Sequence, residues 1–441
     1  MTTSAHTART HFTCLGVGVG PANLSLAALL HGHPDVTNLF VDQRTSFGWH
    51  DGQQLPGTTL QVSVLKDLVS LADPANKFSF FAYLHAQGRI YHFINAQFDA
   101  VPRQEFRNYL KWVSDQNENI AYGEKVLSVD FDDVFVVRTS RRTVTADNVS
   151  VGVGSVPWVP AVAERFLGDR QFHVSDFVER ATDVGGKRVC VVGGGQSGAE
   201  AFLDLISRPA GKRPRRASWV TRRANYFPID DSPFTNDFYT PSHSDYFVTL
   251  DRATREEFTA RHVLTSDGIS EATLREIYRR VYTLRFIDGA PDLVALYPNR
   301  EVVGVARAGH DDWAVRVANG NHPGAAGQLD ADVVVWATGF RPAPMDFLAP
   351  IAHRIEREGE EFRIDGQFAA RWDGPAGHDI FLHGAAPQQR GLPDRNLSLV
   401  AWRSRRVADR LRGLRSDEQL PSFIEWSPKL GPTDAAKVVL G

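Results

Sequence analysis

Two glycine-rich stretches in this chain have the residue types and spacing to hold phosphates. The first reads GVGVGP at residues 16–21, and the second reads GGGQSG at residues 193–198. Each follows a short apolar run and precedes apolar residues at helical spacing. A strand, a glycine turn and a helix in this order aim backbone N–H groups and a helix dipole at a phosphate. Because such turns also connect strands to helices without any ligand, the assignment depends on the residues around them.

The first stretch is followed by an acidic residue at the position that a nucleotide site requires. Asp42 ends the next apolar run, about twenty residues past the turn, where a carboxylate can accept hydrogen bonds from a ribose. The alternative is a surface acid at a strand end. Gly16 would allow the tight turn, and Gly18 would let the backbone approach a phosphate. We expect the first dinucleotide site to use Gly16, Gly18, Gly20, Pro21, Asn23 and Asp42.

The second stretch is followed by arginines where the first has an acid. The next apolar run ends in Thr221-Arg222-Arg223. A guanidinium can bind a 2′-phosphate through two hydrogen bonds, so this site is expected to prefer NADPH to NADH. The alternative is that both arginines are only solvated. The residues assigned to this site are Gly193, Gly195, Gln196, Ser197, Gly198, Arg222 and Arg223.

Composition excludes several classes of function. The formal net charge of -3 argues against nucleic acid or an acidic membrane as the main partner. Cys14 and Cys190 lie in separate apolar runs and form no CxxC pair, so we expect two inert core thiols and no redox dithiol. Residues 1–10 lack the apolar segment of a signal peptide, and no apolar run could span a bilayer. A cytoplasmic protein without a metal site is the expectation.

Two nucleotide units predict an α/β flavoprotein with two Rossmann-like dinucleotide-binding domains. A dehydrogenase needs one such unit, whereas a flavoprotein reduced by a pyridine nucleotide needs two. The predicted FAD domain comprises residues 9–160 and 330–430, and the predicted NADPH domain comprises residues 161–231 and 291–329. Residues 232–290 are expected to form a small, mainly helical substrate region. Without a dithiol to receive electrons, the reduced flavin is expected to meet O2.

Several longer stretches resemble one enzyme family. GVGVGPANLSLAALL, FGWHDGQQLPGTTLQVSVLKDLVSLADP, VVGGGQSGAE, SPFTNDFYTP, WATGFRP and LPDRNLSLVAWR are similar to the flavin-dependent N-hydroxylating monooxygenases of siderophore biosynthesis. The resemblance implies that NADPH reduces FAD, that O2 gives a C4a-hydroperoxyflavin, and that an unprotonated primary amine attacks it. It also implies a homo-oligomer, either a dimer or a tetramer. A Baeyer–Villiger fingerprint is matched only loosely at residues 164–177.

The same resemblance assigns roles to residues outside the glycine turns. Gln61 would contact the reactive edge of the flavin, and Arg103 would lie beside the flavin and the nicotinamide. Lys66 and Asn236 would hold the α-carboxylate end of an amino acid, while Ser398, at the start of a helix, would lie near its side-chain amine. Each residue also has a purely structural alternative, such as a surface ion pair for Lys66 or an Asx-turn for Asn236. The remaining assignments are Trp49, His50, Thr338 and Gly339 to cofactor and Ser266 to substrate.

The identity of the amine depends mainly on Lys66. A carboxylate anchor is useful only for an amino acid, so lysine at this position disfavours putrescine and cadaverine. The stretch TSDGI at residues 265–269 departs from the pattern of ornithine enzymes and is closer to the lysine enzymes. L-lysine N6-hydroxylation is therefore the first expectation, and L-ornithine N5-hydroxylation the second. A flavoprotein that has lost catalysis is a further alternative, but it would be expected to lose Gln61, Lys66 or the second glycine stretch.

Overall fold

The computed structural model describes residues 10–309, 312–322, 324–414 and 422–426. Its strands are β1 His11–Val17, β2 Asn38–Asp42, β3 Ile120–Tyr122, β4 Val126–Asp132, β5 Val134–Thr139, β6 Thr143–Val151, β7 Ser155–Pro157, β8 Gln171–His173, β9 Arg188–Val192, β10 Arg216–Val220, β11 Val294–Tyr297, β12 Arg300–Arg307, β13 Trp313–Asn319, β14 Ala326–Ala331, β15 Val333–Trp336, β16 Phe340–Pro342, β17 Arg357–Glu358, β18 Glu361–Phe362 and β19 Ile380–Leu382.

Its α-helices are α1 Pro21–Leu30, α2 Phe80–Ala86, α3 Ile90–Asn95, α4 Arg103–Asp115, α5 Ala161–Glu164, α6 Phe177–Arg180, α7 Gln196–Ser207, α8 Pro233–Asn236, α9 Pro241–Phe247, α10 Arg252–Arg261, α11 Leu264–Asp267, α12 Glu271–Phe286, α13 Pro387–Arg390 and α14 Val400–Leu411. Among the described residues, no helix has both the length and the apolar character needed to cross a bilayer.

The first sheet has the strand order β3-β2-β1-β6-β5-β4, and β19 also pairs with β6. Strands β1, β2, β3, β6 and β19 run parallel, whereas β4, β5 and β6 form an antiparallel meander. Helices α1, α4 and α14 contribute buried apolar residues to the core of this sheet. Parallel strands need long crossover connections. The connection between β6 and β19 contains the whole second sheet, so the chain returns to the first sheet only after it has completed the second.

The second sheet is parallel, with the order β11-β10-β9-β15-β8. Its central strands are buried on both faces and are therefore almost entirely apolar. Helices α8 to α12 lie in sequence between β10 and β11, and the antiparallel sheet β12-β13-β14 lies between β11 and β15. Two Rossmann-like sheets, the first mixed and the second parallel, confirm the predicted fold class. Cys14 and Cys190 are buried and free, as expected.

The domain boundaries at 160, 231, 290 and 329 stay predictions. Residue 9, residues 415–421 and residues 427–430 of the predicted FAD domain lie outside the described residues. The chain passes between the two sheets through β7 and β16, which pair with each other in an antiparallel ladder from Ser155↔Pro342 to Pro157↔Phe340. This short ladder therefore joins the outgoing and returning connections.

Candidate active site

A cleft of about 1770 Å³ is lined by both glycine turns and by the connections between the two sheets. Both turns follow the carboxyl ends of central parallel strands, which is where open α/β sheets bind ligands. The first turn contributes Gly18 and Gly20, and the second contributes Gly193, Gly194 and Gly195. The cleft is thus placed to hold two nucleotides that approach each other from the two sheets.

Residues 16 and 18 are both glycine, but for different structural reasons. Gly18 has φ +85°, and an added Cβ would lie 2.7 Å from the carbonyl oxygen of Gly152. Gly16, in contrast, lies inside β1, where a Cβ would lie 2.0 Å from the ring of Phe40. The prediction that Gly16 forms the tight turn is therefore wrong. Its missing side chain makes room for Phe40 in the core.

Helix α1 begins in a way that suits a bound phosphate. Its N-cap, Gly20, provides no side-chain hydrogen bond, and Pro21 occupies the first turn. The N–H groups of the first turn therefore have no side-chain cap and can bind an anion at the cleft. Asp42 lies at the cleft, but its carboxylate already accepts hydrogen bonds from the backbone N–H groups of Val19 and Arg44, at 2.8 Å each. Asp42 thus fixes the turn, with lone pairs left for a ribose.

Asn23 does not reach the cleft, so its assignment to the cofactor site is corrected. The side chain is fully buried, and its Nδ2 donates to the carbonyl oxygens of Val17, Gly18 and Ser150. Its Oδ1 accepts a 2.7 Å hydrogen bond from the hydroxyl of Ser150. The amide therefore ties the glycine turn to strand β6 and supports the cofactor site from behind.

The second turn has the same architecture. Helix α7 begins at Gln196, and its N-cap, Gly195, makes no side-chain hydrogen bond, so its first N–H groups can also receive a phosphate. Gly193 has φ +139° and packs on Ala337. Gly198 is buried, and an added Cβ would lie 2.5 Å from the oxygen of Gly193. Gly198 therefore permits close packing of helix on strand and does not itself line the cleft.

The two arginines at the second site have different environments. Arg223 donates 2.8 Å hydrogen bonds to the carbonyl oxygens of Gly194 and Asp267, so its guanidinium holds the turn against α11. Arg222 is exposed, lines the cleft and makes no side-chain hydrogen bond or ion pair with any described residue. Of the two predicted ligands for a 2′-phosphate, Arg222 is the one with a free guanidinium.

Four further residues that were assigned to the cofactors or to catalysis lie at the cleft. Trp49, His50, Gln61 and Arg103 all line it. Burial, followed by the nearby charge of Arg103, lowers the pKa of His50 to about 4, so its imidazole is neutral at neutral pH. Gln61 is exposed and has no hydrogen bond to the described residues, which leaves its amide available. The backbone of His50 is left-handed, with φ +50°.

Thr338 and Gly339 follow the last strand of the second sheet and line the cleft between the two turns. The Thr338 hydroxyl donates a 2.5 Å hydrogen bond to the carbonyl oxygen of Trp158. The carbonyl oxygen of Gly339 lies 3.0 Å from Nε2 of His173. Gly339 also has φ +90°, which favours glycine. These contacts join the segment that leaves the first sheet to the segment that returns to it. The Thr338 hydroxyl and the Gly339 carbonyl therefore already have hydrogen-bond partners within the protein.

Lys66 and Ser398 lie next to each other, 3.3 Å apart from Nζ to Oγ. The resemblance places them at opposite ends of an amino acid, but in the structure they meet at one point. Ser398 is buried and precedes α14 by two residues, so it is not the start of that helix. The ring of Tyr239 lies 6.0 Å from Lys66 Nζ. The two polar side chains are therefore close enough to contact the same group of a bound molecule.

Asn236 and Ser266 are not brought to Lys66 by any contact among the described residues. Asn236 is exposed at the end of α8, and its side chain donates a 2.8 Å hydrogen bond to the carbonyl oxygen of Asp231. Ser266 bonds to Val263 and Asp267 beside the second nucleotide turn. Ser266 nevertheless lines the same cleft, next to Asp267, so its assignment to the substrate stays a prediction.

Two residues of this site were missed by the sequence reasoning. Glu200 forms a buried pair with Arg103, and Tyr239 faces Lys66. Glu200 did carry a signal, because it is an acid among the apolar residues on the buried face of α7. Such a carboxylate requires a partner in the fold. Tyr239 had no distinguishing signal in a segment that contains several aromatic residues.

Comparisons with known proteins agree with this geometry. A sequence model described as L-lysine 6-monooxygenase/L-ornithine 5-monooxygenase matches residues 10–342. The L-lysine N6-monooxygenase of Escherichia coli is 34% identical over 418 residues, covering 93% of this chain and 97% of that protein. The ornithine N-hydroxylase of Kutzneria sp. 744, solved with reduced FAD, NADP+ and L-ornithine, is 30% identical with a TM-score of 0.83, covering 91% and 99%.

The fold extends to a relative with another substrate. The FAD-bound cadaverine monooxygenase of Erwinia amylovora superposes with a TM-score of 0.89 over 96% of this chain and all of that one, at 24% identity. The family match covers well over half of the described chain, and the E. coli relative exceeds 30% identity along nearly its full length. The chain therefore belongs to the L-lysine 6-monooxygenase/L-ornithine 5-monooxygenase family of flavin-dependent N-monooxygenases.

Proposed function

We propose that this flavin-dependent N-monooxygenase hydroxylates the side-chain amine of L-lysine to give N6-hydroxylysine for hydroxamate or siderophore biosynthesis. The observation that carries the proposal is Lys66. Its ammonium is half-buried, hydrogen-bonded to Ser398 and without an ion pair to any described residue. Burial lowers the pKa of Lys66. A buried cation without a counter-ion is a receptive partner for a carboxylate.

An α-carboxylate at Lys66 would relieve the cost of burying this charge. Ser398 would then orient the ammonium through the hydrogen bond that it already makes. This interpretation changes the role of Ser398 from a contact of the reacting amine to a residue that positions Lys66. Gln61 lines the cleft five residues before Lys66, and we place the amine end of the substrate on the Gln61 side of Lys66.

The cofactors are FAD at the first glycine turn and NADPH at the second. Bound there, they supply the reducing equivalents and the activated oxygen that amine hydroxylation requires. The chain itself contributes the uncapped N–H groups of α1 and α7 and the carboxylate of Asp42. It also contributes apolar residues such as Leu397 and Val400, which line the cleft and limit the access of water.

L-ornithine is the second candidate substrate. It shares the α-carboxylate and differs from lysine by one methylene, which is worth only about 1–3 kcal/mol of discrimination. The relatives named above act on lysine, ornithine and cadaverine, respectively. The support for lysine is the match to the E. coli enzyme together with residues 265–269, whereas Lys66 supports either amino acid over a diamine.

The proposal is tested by measuring hydroxylamine formation with FAD, NADPH and O2 on lysine, ornithine, cadaverine and putrescine. NADPH consumption and peroxide are measured in the same samples, because a non-hydroxylated amine can still stimulate NADPH oxidation. The expected result is the highest kcat/KM for product formation on L-lysine. Higher kcat/KM on ornithine would favour the second candidate. A higher kcat/KM on a diamine would contradict the proposal that Lys66 binds the carboxylate of the substrate.

A further inference from the structure

A buried ion pair connects the helices of the two sheets at the cleft. Arg103, the first residue of α4, donates 2.8 and 2.7 Å hydrogen bonds to the two carboxylate oxygens of Glu200 on α7. Only 12% of the Arg103 side chain and 5% of the Glu200 side chain are exposed. Helix α4 packs in the core of the first sheet, and α7 in that of the second. The pair therefore bridges the two nucleotide-binding parts of the molecule.

The local sequence alone would not favour either charge where it is found. A cation in the first turn of α4 faces the positive end of that helix dipole, which is unfavourable. Glu200 lies among buried residues of α7, where an unpaired carboxylate would be costly. Each charge thus depends on the other, and the two residues are 97 positions apart in the chain. Because each charge has its partner on the other helix, the pair stabilises the contact between α4 and α7 and not either helix by itself.

The hydrogen bonds around Arg103 fix the plane of its guanidinium. Besides Glu200, it donates to the carbonyl oxygens of Gln53 at 3.3 Å and Thr59 at 3.4 Å. Four of the five N–H donors of an arginine are thereby used. Arg103 nevertheless lines the cleft, so a ligand meets a guanidinium whose orientation is already set.

The pair also continues into the second nucleotide turn. The Oε1 atom of Glu200 accepts a 2.8 Å hydrogen bond from the amide of Gln196, the first residue of α7. The same Gln196 amide donates to Thr273 and accepts from the backbone N–H of Ser270, at the start of α12. The side chain of Gln196 is therefore occupied within the protein, and Glu200 joins the first sheet, the second turn and the helical region.

We propose that Glu200 is a positioning residue that holds Arg103 at the meeting point of the two nucleotide sites and thereby sets the rate of flavin reduction by NADPH. This inference rests on the proposed function only in its use of FAD and NADPH. The reduction half-reaction, measured without O2 and without any amine, tests it. Failure to hydroxylate lysine would leave this measurement intact, so the two failures are distinguishable.

The variant Glu200→Gln keeps the shape of the side chain and removes the charge. We expect the limiting rate constant of flavin reduction to fall roughly 10- to 100-fold, because a misplaced reacting group costs about that much, while the dissociation constant for NADP+ changes little. Glu200→Asp retains the charge but is too short for both hydrogen bonds, so it should show an intermediate loss. Wild-type reduction rates in both variants would overturn the proposal.

A double-mutant cycle separates positioning from an independent role. If Glu200 acts through Arg103, Glu200→Gln should have almost no further effect on reduction in an Arg103→Gln background. If the double variant lowered the reduction rate by the product of the two single effects, Glu200 would act independently of Arg103. That result would overturn the proposal. The same cycle measured by denaturant unfolding of the FAD-bound protein should show coupling between the two residues. Additive unfolding energies would mean that the pair does not form.

Asp332→Asn is the matched control for a lost ion pair. Asp332 accepts 2.6 and 3.2 Å hydrogen bonds from the Arg188 guanidinium, within the second sheet and away from the residues that line the cleft. This variant should lower stability but leave the limiting rate of flavin reduction unchanged. A loss of reduction rate equal to that of Glu200→Gln would attribute both effects to general loosening and would count against the proposal.

Discussion

Removal of the Lys66 charge should separate amino-acid substrates from diamines. Lys66→Met keeps most of the side-chain length but removes the ammonium, which lies 6.0 Å from the centre of the Tyr239 ring. A hydrogen bond between charged groups contributes about 1.5–3 kcal/mol. At about 1.4 kcal/mol per tenfold, the KM for L-lysine should rise about 10- to 150-fold. Cadaverine has no carboxylate to lose, so its KM should change much less.

The structure also predicts what this variant should not do. The pKa of Lys66 is lowered by burial, so its charge is a cost to the free protein, and the loss of the charge should not lower the melting temperature. Lys77→Met is the matched control, because Lys77 is exposed on the same part of the chain and contacts His31 and Phe78. Hydroxylated product and NADPH consumption are measured for both amines. Equal increases in KM for lysine and cadaverine would refute the assignment of Lys66 to a carboxylate.

Three further predictions concern the two arginines of the second nucleotide turn, Gln61 and the pH dependence due to Lys66. Arg222→Ala should weaken the binding of NADPH by roughly tenfold, through the loss of a charged contact with phosphate, but should leave the binding of NADH unchanged. Arg223→Ala should weaken the binding of both nucleotides because Arg223 holds the turn. The binding of each nucleotide is measured by titration. Gln61→Ala should retain flavin reduction but release more peroxide per product, and an unchanged ratio of product to NADPH would place Gln61 elsewhere. The ratio of kcat/KM for lysine to that for cadaverine should fall as pH rises through the lowered pKa of Lys66. In Lys66→Arg the decrease of this ratio that is due to deprotonation of Lys66 should be absent, since arginine stays charged.

The main features of the fold could be predicted from sequence because they depend on local patterns. An apolar run, a glycine turn and a helical repeat occur within about twenty residues, and both copies form the expected strand–turn–helix units. The same patterns do not tell which glycine forms the turn. Gly16 and Gly18 are two residues apart, and only the position of Phe40 across the sheet shows that Gly16 belongs to the strand.

Side-chain roles that depend on distant partners could not be predicted in the same way. Asn23 follows the turn closely in sequence, but strand β6, more than a hundred residues later, takes up its amide. Arg103, which was expected beside the flavin and the nicotinamide, lines the cleft, whereas its partner Glu200 was not among the predicted residues. The difference is physical: periodicity and turn chemistry are properties of one segment, while the pairing of a buried charge is a property of the assembled sheets.

The environment of Lys66 connects substrate recognition to the chemistry. N-hydroxylation requires a neutral amine, and the side-chain amine of free lysine is protonated at neutral pH. Burial lowers the pKa of Lys66, and burial of a substrate amine would lower its pKa by the same physical effect. A carboxylate beside Lys66 acts in the opposite direction and keeps that ammonium charged. Lys66 can therefore stay charged while a buried substrate amine is neutral, because only Lys66 would have an anion beside it.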